Sequence, residues 1–201
     1  MPILPFLLAY LLGSIPFGLI LTRLSGAGDI RAIGSGNIGA TNVLRTGRKG
    51  LAAATLLLDL AKGFTAIALA RVVWPAALPT VEIVAAAGAV IGHCFPVWLR
   101  FNGGKGVATT MGVTLGLGWP IGLAYAGVWL GILAVTRMSS LAGMCAVVAA
   151  PIAALLTGHT AFVPALTGIA VLVLWLHRAN IARLLAGTEP RVGGSKAAPA
   201  A

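Results

Sequence analysis

Acidic side chains are almost missing from this chain: four among 201 residues, against fourteen lysines and arginines. Charged residues of all kinds make up 9% of the sequence, where soluble domains carry about 25%. Too few charges are present to cover a water-soluble domain of this length, which excludes that class. Only two cysteines occur, Cys94 and Cys145, both in or beside apolar runs. They offer no disulfide framework and no metal-ligand spacing. Gly-x-Ser-x-Gly is absent as well, which removes the strand-to-helix elbow of serine hydrolases.

What the chain has in excess is apolar surface: 59% hydrophobic residues and a mean hydropathy of +0.99. This composition predicts an all-α integral membrane protein of one domain. Apolar runs fall at 2–24, 51–74, 80–99, 107–118, 120–136, 139–157 and 161–176. No basic residue precedes the first run, so it reads as a retained span rather than a cleaved leader. Seven spans with the N-terminus outside place 25–50, 99–106, 137–138 and 177–201 in the cytoplasm. Together with Arg23, these segments hold twelve of the fourteen basic residues, as the positive-inside rule requires.

The run 107–118 is short for a span, which needs about 20 residues. One alternative joins it to the next run as a single helix kinked at Pro120, giving six spans. That arrangement moves His177, Arg178, Arg183 and Arg191 outside, against the charge rule. Seven spans with a short, recessed fourth helix is therefore the expectation, with the C-terminus in the cytoplasm and Lys105 drawn inside the protein. Glycines recur at four-residue spacing (Gly88/Gly92, Gly112/Gly116, Gly118/Gly122, Gly127/Gly131), which predicts close helix packing. Residues 1–192 form the domain, and the Ala-rich 193–201 is expected to be a disordered tail. The net charge of +10 is spread between spans rather than gathered on one face, so nucleic acid is not an expected partner.

Three segments on the predicted cytoplasmic side carry the unusual polar residues. Gly34-Ser35-Gly36-Asn37-Ile38-Gly39-Ala40-Thr41-Asn42, ending at Arg45, has the glycine spacing of a backbone nest for anions such as phosphate. Its Ser, Asn and Thr add donors and Arg45 a bidentate fork. Gly103-Gly104-Lys105-Gly106 leads into the fourth run, where free N–H groups at a helix start make a second anion cradle. It is no Walker motif, since Gly106 follows Lys105 where Ser or Thr is needed. The third segment, His177-Arg178-Ala179-Asn180, places His177 and Asn180 on one helical face. Inside the second run, Asp59 and Lys62 are three residues apart; they are either a structural ion pair or functional groups. His159 lies near an outer loop and reads as structural.

Other lipid chemistries fit poorly. Asp29, Asp59 and Glu189 lie far apart in sequence and no Asp-x-x-Asp pair exists, so metal-dependent phosphatidyl transfer lacks its carboxylates. None of the three histidines has an acid four or five residues downstream, which excludes the His-x₄-Asp pattern of the commoner glycerolipid acyltransferases. A transporter of a phosphorylated anion is the competing class, although its site is expected near the bilayer midplane rather than at one face.

The segments GSGNIGATNVLR, DLAKG, GHCFPVWLRFNGGKGVAT and HRANIARLLAGTE, in this order, resemble the PlsY family. These are bacterial acyl-phosphate-dependent glycerol-3-phosphate acyltransferases. The similarity runs to about Glu189; Asn102 stands where a basic residue is common. The resemblance implies seven spans in the bacterial inner membrane, with the site open to the cytoplasm. It implies acyl transfer from acyl phosphate to the 1-hydroxyl of glycerol 3-phosphate, giving lysophosphatidic acid and phosphate, with no cofactor or metal. Carried onto this chain, it assigns the acyl-phosphate head to Gly34, Ser35, Gly36, Asn37, Gly39, Ala40, Thr41 and Asn42. Glycerol 3-phosphate falls to Arg45, Lys105, His177 and Asn180. Ser35, Arg45, Lys105, His177 and Asn180 form the expected catalytic set, with Lys62, His93, Gly103, Gly104 and Gly106 secondary. The acyl tail is expected in a groove between spans, and a monomer suffices. The proton acceptor is open between the donor's own phosphate, His177 and His93.

Overall fold

The first apolar run is one candidate span, Ile3–Leu24, as expected, but its helix is interrupted in the middle. α1 (Ile3–Gly13) and α2 (Phe17–Leu24) are separated at Ser14-Ile15-Pro16. Pro16 has no N–H and disfavours helical geometry at Ile15, so the hydrogen-bond ladder stops there. Two other helical segments satisfy carbonyls at the break. Lys62 Nζ donates to Ile15 O and Trp98 Nε1 to Ser14 O, each at 2.9 Å.

The computed structural model describes residues 2–193. Within them no strand occurs, and eight further α-helices follow the first two. They are α3 (Ala40–Leu44), α4 (Lys49–Val73), α5 (Thr80–Cys94), α6 (Val107–Leu117), α7 (Trp119–Thr136), α8 (Ser139–Leu156), α9 (Val163–Leu176) and α10 (Arg178–Leu185). The predicted tail, apart from Gly193, lies outside the described residues. Among the described residues four segments are long and apolar enough to cross a membrane: Ile3–Leu24, Thr80–Leu99, Trp119–Thr136 and Ser139–Leu156. Helices α9 and α10 make a fifth if counted together, although they are bent by 61°. At 25 residues α4 has the length of a span, but Lys49, Asp59, Lys62 and Arg71 interrupt its hydropathy.

α6 and α7 form a hairpin rather than one kinked helix. Gly118 between them is extended, and Tyr125 Oη donates to Val107 O at 2.8 Å. In one continuous helix those residues would stand about 27 Å apart. Small residues allow close approach at several crossings. A Cβ on Gly88 or Gly92 would run into the α1 backbone, and one on Gly112 into the α4 backbone. Gly116 presses on Ile67 of α4. The same expectation fails on α7, where Gly127 and Gly131 have nothing within 4 Å of an added Cβ.

The main core joins α1 and α4–α9 through buried Ala, Val and Ile side chains. A second, smaller cluster gathers Leu19, Ile30, Ile38, Val43 and Ala52. It anchors the glycine-rich 25–45 segment, which would otherwise have few apolar contacts to offset its ordering entropy. At the opposite end of the helices Arg71 pairs with Glu82 and donates to Leu117 O at 3.0 Å, capping α6. His159 sits there too, 3.0 Å from Thr157 Oγ1 and stacked on Phe162, away from the polar segments.

Candidate active site

The three polar segments meet in one cavity. Its wall includes Ser35, Asn37, Gly39, Ala40, Thr41, Asn42 and Arg45 from the first segment. Lys105, Gly106, Val107 and Ala108 come from the start of α6, and His177 and Asn180 from the α9–α10 junction. Ser35, Thr41 and Arg45 are exposed, whereas His177 and Asn180 are buried.

Asn42 organises the first segment. Its Oδ1 accepts from Ser35 N at 3.2 Å and Arg45 Nη1 at 3.1 Å. Its Nδ2 donates to Ile30 O at 2.7 Å and Ile33 O at 3.2 Å. All four hydrogen-bonding positions of the amide are therefore used inside the protein. Gly34 lies behind this group at φ +57°, and a Cβ there would strike Asn42 and the Arg45 guanidinium. Gly34 and Gly36 do not line the cavity; they bend the chain through left-handed conformations. Asn37 Oδ1 accepts from Gly39 N at 2.8 Å, and Thr41 Oγ1 lies 3.1 Å from Ser139 Oγ.

At the second segment the two adjacent glycines have another task than the one expected. Gly103 N donates to Cys94 O and Gly104 N to His93 O, both at 3.0 Å, so these amides complete the end of α5. A Cβ on Gly104 would collide with the His93 ring. Gly106 does line the cavity and caps α6 at φ 86°, leaving the first amides of α6 without intrahelical acceptors. Lys105 is half-buried, and its Nζ donates to Asn180 Oδ1. Burial and the charges of Arg183, Arg45 and Arg178 lower its pKa below the ordinary lysine value, with Glu189 opposing.

Glu189 is the residue that sequence reading passed over. Its Oε1 accepts from Ser140 Oγ at 2.5 Å and Asn180 Nδ2 at 2.6 Å, and its Oε2 from Arg183 Nε at 2.8 Å. Burial works to raise its pKa, but these hydrogen bonds outweigh it and hold the carboxyl below the usual range. The segment carrying it is strapped to the α7–α8 turn, with Val192 N donating to Arg137 O at 2.6 Å. Twelve residues beyond His177, Glu189 showed no helical phase that linked it to the site. Two acids thus stand beside the cations and backbone donors: Glu189 and Asp59 both line the cavity.

His177 Nδ1 is 2.7 Å from Val173 O. A carbonyl only accepts, so Nδ1 carries the hydrogen and Nε2 is left as an acceptor. Burial, with Lys105 nearby, lowers the His177 pKa to about 4 against the pull of the Val173 carbonyl. The ring is neutral at physiological pH.

The buried Asp59, Lys62 and His93 form one cluster with divided contacts. Lys62 Nζ is 2.7 Å from Asp59 Oδ1, and His93 Nδ1 is 3.6 Å from the same oxygen. Lys62 turns away toward Ile15 O and the Phe17 ring and does not line the cavity, while Asp59 and His93 do.

Known proteins resemble this chain over nearly its whole length. The family model described as glycerol-3-phosphate acyltransferase matches residues 3–187. A glycerol-3-phosphate acyltransferase of Erythrobacter litoralis is 64% identical over 96% of this chain and 95% of its own length. The protein of the same name from Novosphingobium aromaticivorans is 67% identical, covering 96% of each. Among solved structures, the glycerol 3-phosphate form of PlsY (YgiH), an integral membrane glycerol 3-phosphate acyltransferase, superposes with a TM-score of 0.88 at 37% identity, covering 96% of each chain. Its lysophosphatidic acid form gives 0.86 at 36% identity, covering 96% of this chain and 95% of that one. With the family model spanning most of its length and these relatives matching it from end to end, this chain belongs to the glycerol-3-phosphate acyltransferase family.

Proposed function

We propose that the chain moves a fatty acyl group from acyl phosphate to the 1-hydroxyl of glycerol 3-phosphate at this cavity. The observation that carries the reading is the meeting of two anion-binding segments, 34–45 and 105–108, on one wall, joined by Lys105. Both substrates carry a phosphate, and two cradles with a shared cation hold two such groups close together. The relatives described as glycerol-3-phosphate acyltransferases, and the glycerol 3-phosphate and lysophosphatidic acid forms of PlsY, support the acceptor and product.

In this reading Ser35, Asn37, Gly39, Ala40 and Thr41 receive the acyl-phosphate head, and Arg45, Lys105, His177 and Asn180 gather glycerol 3-phosphate. Asn42 and Gly34 act behind them by holding Arg45. The 1-hydroxyl oxygen attacks the acyl carbon, forming the ester C–O bond while the C–O bond to phosphate breaks. The departing phosphate takes the hydroxyl proton. His177 Nε2 accepts a hydrogen bond from glycerol and thereby orients it.

Seven apolar units, α1–α2, α4, α5, α6, α7, α8 and α9, correspond to seven spans within a domain of residues 1–192. The basic residues favour an outer N-terminus and a site on the cytoplasmic side of the inner membrane, with each monomer holding a full set of residues. A transporter of phosphorylated anions is the weaker reading, because the polar residues gather at one end of the helices.

Purified protein given palmitoyl phosphate and glycerol 3-phosphate should release phosphate and form 1-acylglycerol 3-phosphate with chelator present. Folded protein that releases none would overturn the reading, as would uptake of glycerol 3-phosphate into liposomes without acylation.

A further inference from the structure

Lys105 carries its charge on a flexible stem, and ordering such a side chain opposes binding. Its tip is held by Asn180. The glycines on either side of it are both seated on the end of α5. Gly104 N donates to His93 O at 3.0 Å. A Cβ on Gly106 would lie 3.3 Å from Cys94 Sγ and 3.2 Å from Val90. The root of Lys105 is therefore fixed by neighbouring residues of one helix.

The buried His93 ring stands between α4 and this loop. Its Nδ1 edge faces Asp59 Oδ1 of α4 at 3.6 Å, too far for a hydrogen bond. Its Nε2 edge faces Gly104, where an added Cβ would strike it. The ring thus acts as a spacer, with a carboxylate on one side and the Lys105 loop on the other. Behind it Asp59 is held by Lys62 at 2.7 Å, and Lys62 is bonded to Ile15 O at the break of the first span. With both nitrogens turned to protein atoms, the ring is placed to support the loop rather than to take a proton.

We infer that His93 is a positioning residue for glycerol 3-phosphate binding: its ring, backed by Asp59, holds Gly104 and so fixes the root of Lys105. This rests on the acyltransferase reading above, in which Lys105 gathers that substrate. Glycine at 104 belongs to the same device, because any side chain there would meet the ring and displace the loop.

The experiment measures the Kd of glycerol 3-phosphate by calorimetry, and KM and kcat by phosphate release. His93→Ala should weaken binding roughly tenfold, the effect of leaving one long side chain to be ordered by the ligand. KM should rise with Kd while kcat stays within about twofold of wild type. In a Lys105→Met background, His93→Ala should change Kd no further. Gly104→Ala should also raise Kd, and pairing it with His93→Ala, which removes the ring, should bring no added loss. An equal loss with and without Lys105, additive losses in the Gly104 pair, or an unchanged Kd in both single variants overturns the inference. So does a fall in kcat at unchanged KM, which would identify His93 as a proton acceptor. The two independent comparisons keep the test decisive where one variant fails to fold or Lys105→Met binds too weakly to measure. Folded wild-type protein that neither binds glycerol 3-phosphate nor releases phosphate would instead refute the acyltransferase reading itself.

Discussion

Glu189 Oε1 accepts the Asn180 amide Nδ2 at 2.6 Å and so turns Asn180 Oδ1 toward Lys105. One carboxylate outside the helices thereby sets the position of Lys105 through an intervening asparagine. Glu189→Gln keeps an acceptor for Asn180 but weakens the hydrogen bonds from Ser140 and Arg183. Hydrogen bonds to charged groups contribute about 1.5–3 kcal/mol. kcat/KM for glycerol 3-phosphate should therefore fall between roughly tenfold and a hundredfold, measured by phosphate release. Glu189→Ala should cost more, with a lower melting midpoint. Full activity in Glu189→Ala would show that Asn180 and Lys105 are set by other contacts.

Asn42 supports Arg45 and the loop beneath it at once. Asn42→Ala strips Ile30 O and Ser35 N of a partner and frees the guanidinium. Leaving buried polar groups unpaired costs about 1–3 kcal/mol each. The variant should show both reduced stability and a raised KM for the phosphate substrates. Gly34→Ala should raise KM in the same way, because its Cβ would occupy the place of the Arg45 side chain. A variant of either kind with unchanged KM would contradict this arrangement.

The pH dependence follows from His177. Its pKa of about 4 lies below its ordinary value of 6.5, so the unfolded chain binds more protons between the two. The stabilising contribution is complete above about pH 6.5 and is lost as pH falls toward 4. Activity assigned to the neutral ring should show no limb near 6.5 and should fall only as pH approaches 4. In His177→Gln that acid limb should disappear. A limb near 6.5 in the wild type that vanishes on substitution would instead identify a histidine with an ordinary pKa.

Lys62 holds the broken first span. Lys62→Met removes the donor to Ile15 O and leaves Asp59 charged and unpaired in the interior. Breaking one side of a buried ion pair costs about 3–5 kcal/mol. Thermal unfolding should therefore occur at a clearly lower temperature. Adding Asp59→Asn should restore part of that loss, since the double change leaves no unpaired charge. A double variant less stable than Lys62→Met alone would show that Asp59 is neutral in the folded protein.

The amino-acid order was enough to indicate the helical class, the membrane-compatible runs and the polar segments that line the cavity, because hydropathy and glycine spacing are local properties. GSGNIGATNVLR and the Gly-Lys-Gly before α6 stood out as glycine-rich polar segments, both of which line the cavity, and α6 was legible as a short helix apart from α7. Gly103 and Gly104 look equally fit to cradle phosphate on paper, yet their amides complete α5, and that depends on where His93 and Cys94 end. Asn42 resembles any other donor in its segment until Ile30 and Ile33 fold back to use its amide. Glu189 and Asp59 are 130 positions apart, and nothing in their spacing links them. Local pattern decided which residues are polar and which segments turn. Only packing decided which polar atoms are used up inside the protein and which stay free to meet a substrate, because hydrogen-bonding capacity is consumed by partners distant in the chain.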